Sequence, residues 1–275
     1  MLNRQSTTAI LIQNLKVNKE TIIPDYSEVL GEGFTATVFK GRLAGNDQLL
    51  AIKEIKPEYL EQAVNEIYIM ARLIETHAPH VITLHGYSIT TEPYQLCLGL
   101  AENGVLGQQL HRLDRPQQNQ IMVELSEAVG HLHSINIIDT DIKPDNVLLG
   151  VNYTVKLADF GCSYVLKKGQ EKFYGGTPIF LAPELLLEKG YFNQKTDVYS
   201  LSLTFWCIEH KDNEPYRGMK NMNVFTHKIA IKKERETISP LCSPLLAELI
   251  TRCWADKPSD RPDMPEVLET VKRMT

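Results

Sequence analysis

The chain has 275 residues, 43% of them hydrophobic and 23% charged, with a formal net charge of -5. That length and apolar content are enough for one large core or two modest ones, and an acidic balance without a dense Lys/Arg run argues against a nucleic-acid surface. The apolar stretch Ile10-Leu11-Ile12 is interrupted at once by polar residues and lacks a secretory layout, so no membrane insertion is expected.

In chain order, residues 1–25 read as an extension. Ile10, Leu11, Ile12 and Leu15 are apolar enough for a short strand and cap on a small lobe, or for packing against a partner. From Tyr26 to about Leu100, short apolar or alternating runs broken by glycine predict antiparallel strands: Val29-Leu30, Thr37 to Lys40, Leu49 to Lys53 and Leu96 to Leu98. Between them, Leu60, Val64, Ile67, Met70 and Leu73 recur at three- and four-residue steps, which predicts an amphipathic helix from Tyr59 to Ile74. From Gln117 onward helices dominate, notably Ile121 to His133, Thr196 to Ile208, Pro244 to Trp254 and Met264 to Met274. A strand-rich part (about 26–100) followed by a helical part (about 101–274) predicts an α+β fold of two lobes, with the cleft between them as the ligand site. The same absence of a span or secretory layout predicts a cytoplasmic protein, five cysteines without paired spacing predict reduced thiols, and no motif demands more than a monomer.

Asp141, Lys143, Asn146 and the triplet Asp159-Phe160-Gly161 combine acidic, basic and amide groups at spacings that packing does not require. The constellation reads as a magnesium and phosphoryl-transfer site. The segment from His133 to Leu149 closely resembles the catalytic loop of protein kinases, and the resemblance extends over about Tyr26 to Met274. It implies the bilobal protein kinase fold, with a small antiparallel-sheet lobe carrying one main helix and a larger helical lobe. It also implies ATP as phosphoryl donor, Mg2+ or alternatively Mn2+ as the ion, and a protein substrate.

Residue by residue, the resemblance assigns Asp141 to orient the attacking hydroxyl and accept its proton, and Lys143 to touch the γ-phosphate. Asn146 and Asp159 would each hold a metal ion, donors whose hard oxygens suit magnesium. Lys53, ending the apolar run Leu49 to Ile52, would reach the phosphates with Glu66 as its ion-pair partner; Glu61 falls too soon after it. Gly31, Glu32 and Gly33 open a Gly-rich hairpin whose amides would approach phosphate oxygens; the third glycine of the family's pattern is Ala36. Leu98 to Gly104 resembles the hinge, where backbone groups of Gly99 and Ala101 would meet the adenine edge while Val38, Ala51 and Leu148 sandwich the purine. Glu184 with Arg261, and Asp197 beneath the catalytic loop, would be structural.

Before Asp141 the family keeps His-Arg, whereas this chain has Asp139-Thr140. Without the arginine, phosphorylation of the activation segment is not expected to be the main switch. Asp139 adds a carboxylate near two others, and the sequence leaves open whether it is protonated, solvated or metal-linked. Lys143 and Thr177 resemble serine/threonine kinases, and Asp159 to Ser163 with Cys253-Trp254 look like the tyrosine-kinase-like group with Mos-type features. Cys162 is expected to face the nucleotide pocket and react with electrophiles there. Ser163, Tyr164, Tyr174 and Thr177 are candidates for modification, Thr177 reading better as a substrate-pocket residue. The alternative from another class is a pseudokinase, a nucleotide-binding scaffold, which Asp139, Thr140 and Ala36 favour.

Overall fold

The computed structural model describes residues 4–166, 175–187, 192–219 and 221–275; Tyr174 lies outside them. Residues Arg4–Leu15 form helix α1, where the sequence left a strand, a cap or a partner contact open. It packs on the small lobe itself: the Thr8 hydroxyl donates to Glu75, and Ile12 and Leu15 pack against the main core. Immediately after it, Val17 N–H donates to the Tyr87 carbonyl at 3.0 Å.

The small lobe is an antiparallel sheet of β1 (Ile22–Glu32), β2 (Ala36–Leu43), β3 (Leu50–Ile55), β4 (Leu84–Ser88) and β5 (Tyr94–Gly99), in the order β1-β2-β3-β5-β4. The central strand β3 is buried at Leu50, Ala51, Ile52, Lys53 and Ile55, which explains its unbroken apolar run. Helix α2 (Leu60–Glu75) follows it and buries Ala63, Glu66, Ile67, Met70 and Leu73. Its buried stripe is rotated from the predicted one, because Val64 is 50% exposed and Ala63 and Glu66 take the inward positions. A charged residue on the apolar face is the local conflict that marks a site.

The large lobe begins with α3 (Leu106–Gln109) and α4 (Arg115–Ser134). A reciprocal capping box starts α4: Asp114 Oδ1 accepts from Gln117 N–H at 2.9 Å, and Gln117 Oε1 accepts from Asp114 N–H at 3.0 Å. Two short ladders come next. Strand β6 (Ile137–Ile138) pairs with β9 (Tyr164–Val165), and β7 (Val147–Leu149) pairs with β8 (Val155–Leu157). Beyond them lie α5 (Pro183–Leu186), α6 (Gln194–His210), α7 (Met222–Thr226), α8 (Pro244–Cys253) and α9 (Met264–Lys272). Helix α6 is buried on all sides from Thr196 to Ile208, so it forms the centre of this lobe.

Candidate active site

The two short ladders decide where the chemistry sits. Residues 139–146 leave β6 and enter β7, while residues 158–163 leave β8 and enter β9, so pairing β6 with β9 and β7 with β8 sets the two loops side by side. Ala158 N–H donates to the Asn146 carbonyl at 2.9 Å, fastening them directly. Beneath, the fully buried Asp197 of α6 accepts from Asp139 N–H (3.0 Å), Thr140 N–H (2.9 Å) and the His133 ring (2.8 Å). This bracing role for Asp197 is the one expected from sequence, with His133 as an added partner.

Lys53 reaches across from β3. Its Nζ lies 2.8 and 3.0 Å from the two Glu66 carboxylate oxygens and 2.9 Å from Asp159 Oδ1. Glu66, not Glu61, is therefore its helix partner. Burial works against the Lys53 ammonium, but the facing Asp159 and then Glu66 more than offset it, so the pKa stands above the ordinary value. Lys53 in turn holds the Asp159 carboxyl below the usual carboxylate range, and burial pushes the Glu66 carboxyl up. Asp159 sits at φ 63°, a left-handed conformation, and its side chain remains 43% exposed to the cleft. A cavity lined by Thr35, Lys53, Tyr59, Glu66, Asp159 and Gly161 opens beside this trio.

Asp141 is held on one oxygen only. Its Oδ2 accepts from Lys143 Nζ at 2.8 Å and from Asn146 Nδ2 at 2.9 Å, while the buried Oδ1 has no partner. Lys143 also contacts the Thr177 hydroxyl at 2.5 Å, which ties the loop to the far end of the activation segment. The Asn146 amide nitrogen is spent on Asp141, so its oxygen is the atom left to ligate. Asn146 oxygen and the Asp159 carboxylate are hard donors that fit magnesium or manganese. Among the described residues no group of three or more His, Cys, Asp or Glu could hold a metal ion.

On the roof of the cleft, Gly31 pairs with Val38 and Glu32 with Thr37, and Gly33 N–H closes the hairpin on the Ala36 carbonyl at 2.9 Å. A Cβ placed on Gly31 would meet nothing within 4 Å, so packing within the chain does not require glycine there. Ala36 is buried, its methyl part of the main core. Ala51 belongs to the same core, with Val38 and Leu148 half-buried at its edge. At the hinge, the Gly99 amide donates to the Thr83 carbonyl at 2.9 Å, so of its two backbone groups the carbonyl is the one to meet an adenine edge. The Ala101 amide makes no hydrogen bond among the described residues.

Asp139 is 1% exposed and its Oδ2 has no partner, so solvation is excluded. Burial, then Asp197 and Asp141, raise its pKa well above the ordinary 3.8, which favours the protonated carboxyl. A carboxyl with a raised folded pKa keeps a proton that the unfolded chain has released. Its contribution to stability therefore falls as pH rises from about 3.8 towards the raised value. Asp139→Asn should remove that loss and stabilise the protein near neutral pH by about 1 kcal/mol. Differential scanning calorimetry across pH checks this, and parallel profiles for wild type and variant would contradict a buried, protonated Asp139. Next to it, Thr140 sits at φ 68°, costly for a β-branched residue, and its hydroxyl donates to the Cys162 carbonyl at 2.7 Å.

Cys162 is half-buried beside the activation segment. Its Sγ lies so close to Gly175 that a Cβ there would approach within 2.7 Å, and burial raises the thiol pKa, which lowers its reactivity. Three residues that make contacts around the site, Asn65, Lys56 and Phe34, are not singled out by the sequence. Asn65, beside Glu66 on α2, donates to the carbonyls of Gly161 (3.2 Å) and Ser163 (2.8 Å); an asparagine inside a helix, where its propensity is poor, was the available signal. Lys56 and Phe34 are the others, and nothing in their spacing singles them out.

The protein kinase domain family matches residues 25–271 of this chain. The chain belongs to the protein kinase family. Among similar kinases is a probable LIM domain-containing serine/threonine-protein kinase of Dictyostelium discoideum, 30% identical over 271 residues that cover 94% of this chain and 40% of the relative. The dual specificity protein kinases shkD and pyk3 of the same organism are 31% and 32% identical over 89% and 90% of this chain, and 34% and 18% of their own length. The chain thus spans less than half the length of each of these relatives. Its antiparallel-sheet lobe and helical lobe are the fold expected of the family.

Proposed function

We propose that the chain transfers the γ-phosphoryl group of ATP to serine and threonine hydroxyls of proteins. The observation that carries this reading is the Asp141 carboxylate, one oxygen fastened by Lys143 and Asn146 and the other buried and unpartnered. An alcohol brought up to the Asp141 carboxylate passes its proton to it as the alcohol oxygen forms the bond to phosphorus and the bond to the ADP oxygen breaks. Lys143 supplies positive charge beside the transferring group, and Lys53, fixed by Glu66, does so on the donor side. Asn146 and Asp159 are the residues for the metal, which when bound neutralises phosphate charge.

The Gly99 carbonyl and Ala101 amide suit an adenine edge, with Val38, Ala51 and Leu148 around the ring and Gly31, Glu32 and Gly33 above the phosphates. Residues 26–274 would form the catalytic unit, with 1–25 as a cap. Thr140 in place of the arginine supports activity without a phosphorylated activation segment, since a neutral hydrogen bond to Cys162 already joins the two loops. Lys143 in contact with Thr177 supports serine and threonine as acceptors. Assignment to the tyrosine-kinase-like group with Mos-type features rests on Asp159 to Ser163 and Cys253-Trp254. The free cysteines, five of five described, support a reducing cytoplasm, and monomeric behaviour is expected. Incubation with Mg-ATP and a generic basic protein, followed by mass-spectrometric site mapping, tests the reading. Phosphoserine and phosphothreonine are expected; predominant phosphotyrosine would overturn the acceptor, and no transfer would favour the pseudokinase.

A further inference from the structure

The tip of the Gly-rich hairpin is fastened to the start of α2 by two residues that the reaction does not otherwise use. Lys56, the residue after β3, places its Nζ 3.0 Å from the carbonyls of both Gly33 and Phe34, while its own N–H donates to the Thr35 carbonyl at 3.0 Å. The Phe34 ring, 81% exposed, is not held by burial; it meets the Tyr59 ring edge-on at 5.5 Å. Tyr59 stands at the entrance to α2, the helix that carries Glu66.

We propose that Lys56 and Phe34 form a clasp that presents the Phe34 and Thr35 amides to the nucleotide's terminal phosphates and couples the hairpin to the Lys53 and Glu66 pair. In a trans peptide the carbonyl and the following N–H point in opposite directions, so anchoring the Gly33 and Phe34 carbonyls on one cation turns the Phe34 and Thr35 amides away from it. Among the described residues neither amide donates to another group of the chain, which leaves both as free donors at the hairpin tip. Adjacent unpaired amides in a turn form an anion-binding concavity. The ring contact extends the same restraint to α2, which Asn65 in turn binds to Gly161 and Ser163. Lys56 and Phe34 are thus positioning residues, and the proposal rests on the nucleotide reading above.

The test is competition of ATP, and separately of adenosine, against a fluorescent nucleotide analogue on the full chain with magnesium. Lys56→Met should weaken ATP about 5- to 10-fold and adenosine less than about 2-fold, because adenosine has no group at the tip. Lys56→Arg should restore ATP affinity, and Phe34→Ala should weaken ATP in the same direction as Lys56→Met. Unchanged ATP affinity in Lys56→Met, or equal weakening of ATP and adenosine, overturns the clasp. So does a Phe34→Ala protein with wild-type affinity, since a bare charge effect would then account for Lys56. A wild type that binds no nucleotide overturns the underlying reading together with the clasp, whereas the other contrary results leave that reading standing.

Discussion

Asp159→Asn should lower the phosphoryl-transfer rate by about 10³-fold or more while leaving the fold intact. The asparagine keeps the size and one oxygen but removes the negative charge. That charge has two partners: Lys53 at 2.9 Å, and the metal that the reading places at the open, 43% exposed side. Lys53 loses one of the two carboxylates that raise its pKa but keeps both contacts to Glu66, so α2 is expected to stay in place. The side chain is partly exposed and its charge is not needed to offset another unpaired group, so the thermal midpoint should move little. Kinetics on a protein substrate, with scanning calorimetry on the same preparation, checks both halves. Equal rates for wild type and Asp159→Asn would mean that any observed transfer does not pass through this site.

Arg261→Met should instead be a stability variant, costing about 3–5 kcal/mol. Arg261 is 2% exposed and its guanidinium grips both Glu184 oxygens, at 2.7 and 2.8 Å. It also donates to the Ala255 and Lys195 carbonyls, each at 2.9 Å, and lies 5.1 Å from the centre of the Tyr199 ring. Methionine fills much of the volume, so the loss measures stranded polar groups: a nearly buried Glu184 carboxylate without its cation and two carbonyls without donors. The thermal midpoint should fall by roughly 10 °C. Adding Glu184→Gln should cost less than the sum of the single changes, because the carboxylate left behind is the main penalty. A loss below about 1 kcal/mol would show that the pair contributes no more than a surface salt bridge.

The catalytic loop was the most legible part of the chain because its function depends on residue identity at fixed spacing. Asp141, Lys143 and Asn146 lie within six residues and meet through local backbone, and the structure joins them by direct hydrogen bonds. Lys53 with Glu66 and Glu184 with Arg261 were legible only through the resemblance to the kinase family, which implies an ion pair at each place. What stayed hidden depends on contacts between distant elements whose residue types are ordinary. Helix α1 has no apolar periodicity of its own, and its place is set by the Thr8 contact to Glu75 and by Val17 beside Tyr87. The fate of Asp139 turns first on its burial and then on the nearness of Asp197, which is far along the chain. Cys162 depends on where Gly175 comes to rest, and Lys56 on the fold of the hairpin tip, so neither could be placed from spacing alone.

The proposed chemistry requires a metal held by Asp159 and Asn146 that steadies the terminal phosphates beside Asp141. Calorimetric titration of ATP into wild type and Asp159→Asn, each with saturating magnesium and again with a chelator, tests that claim most directly. The account predicts that wild-type affinity depends strongly on magnesium and that Asp159→Asn loses most of that dependence. Wild-type protein that binds no ATP under saturating magnesium, or binds it equally well with and without the metal, would contradict it.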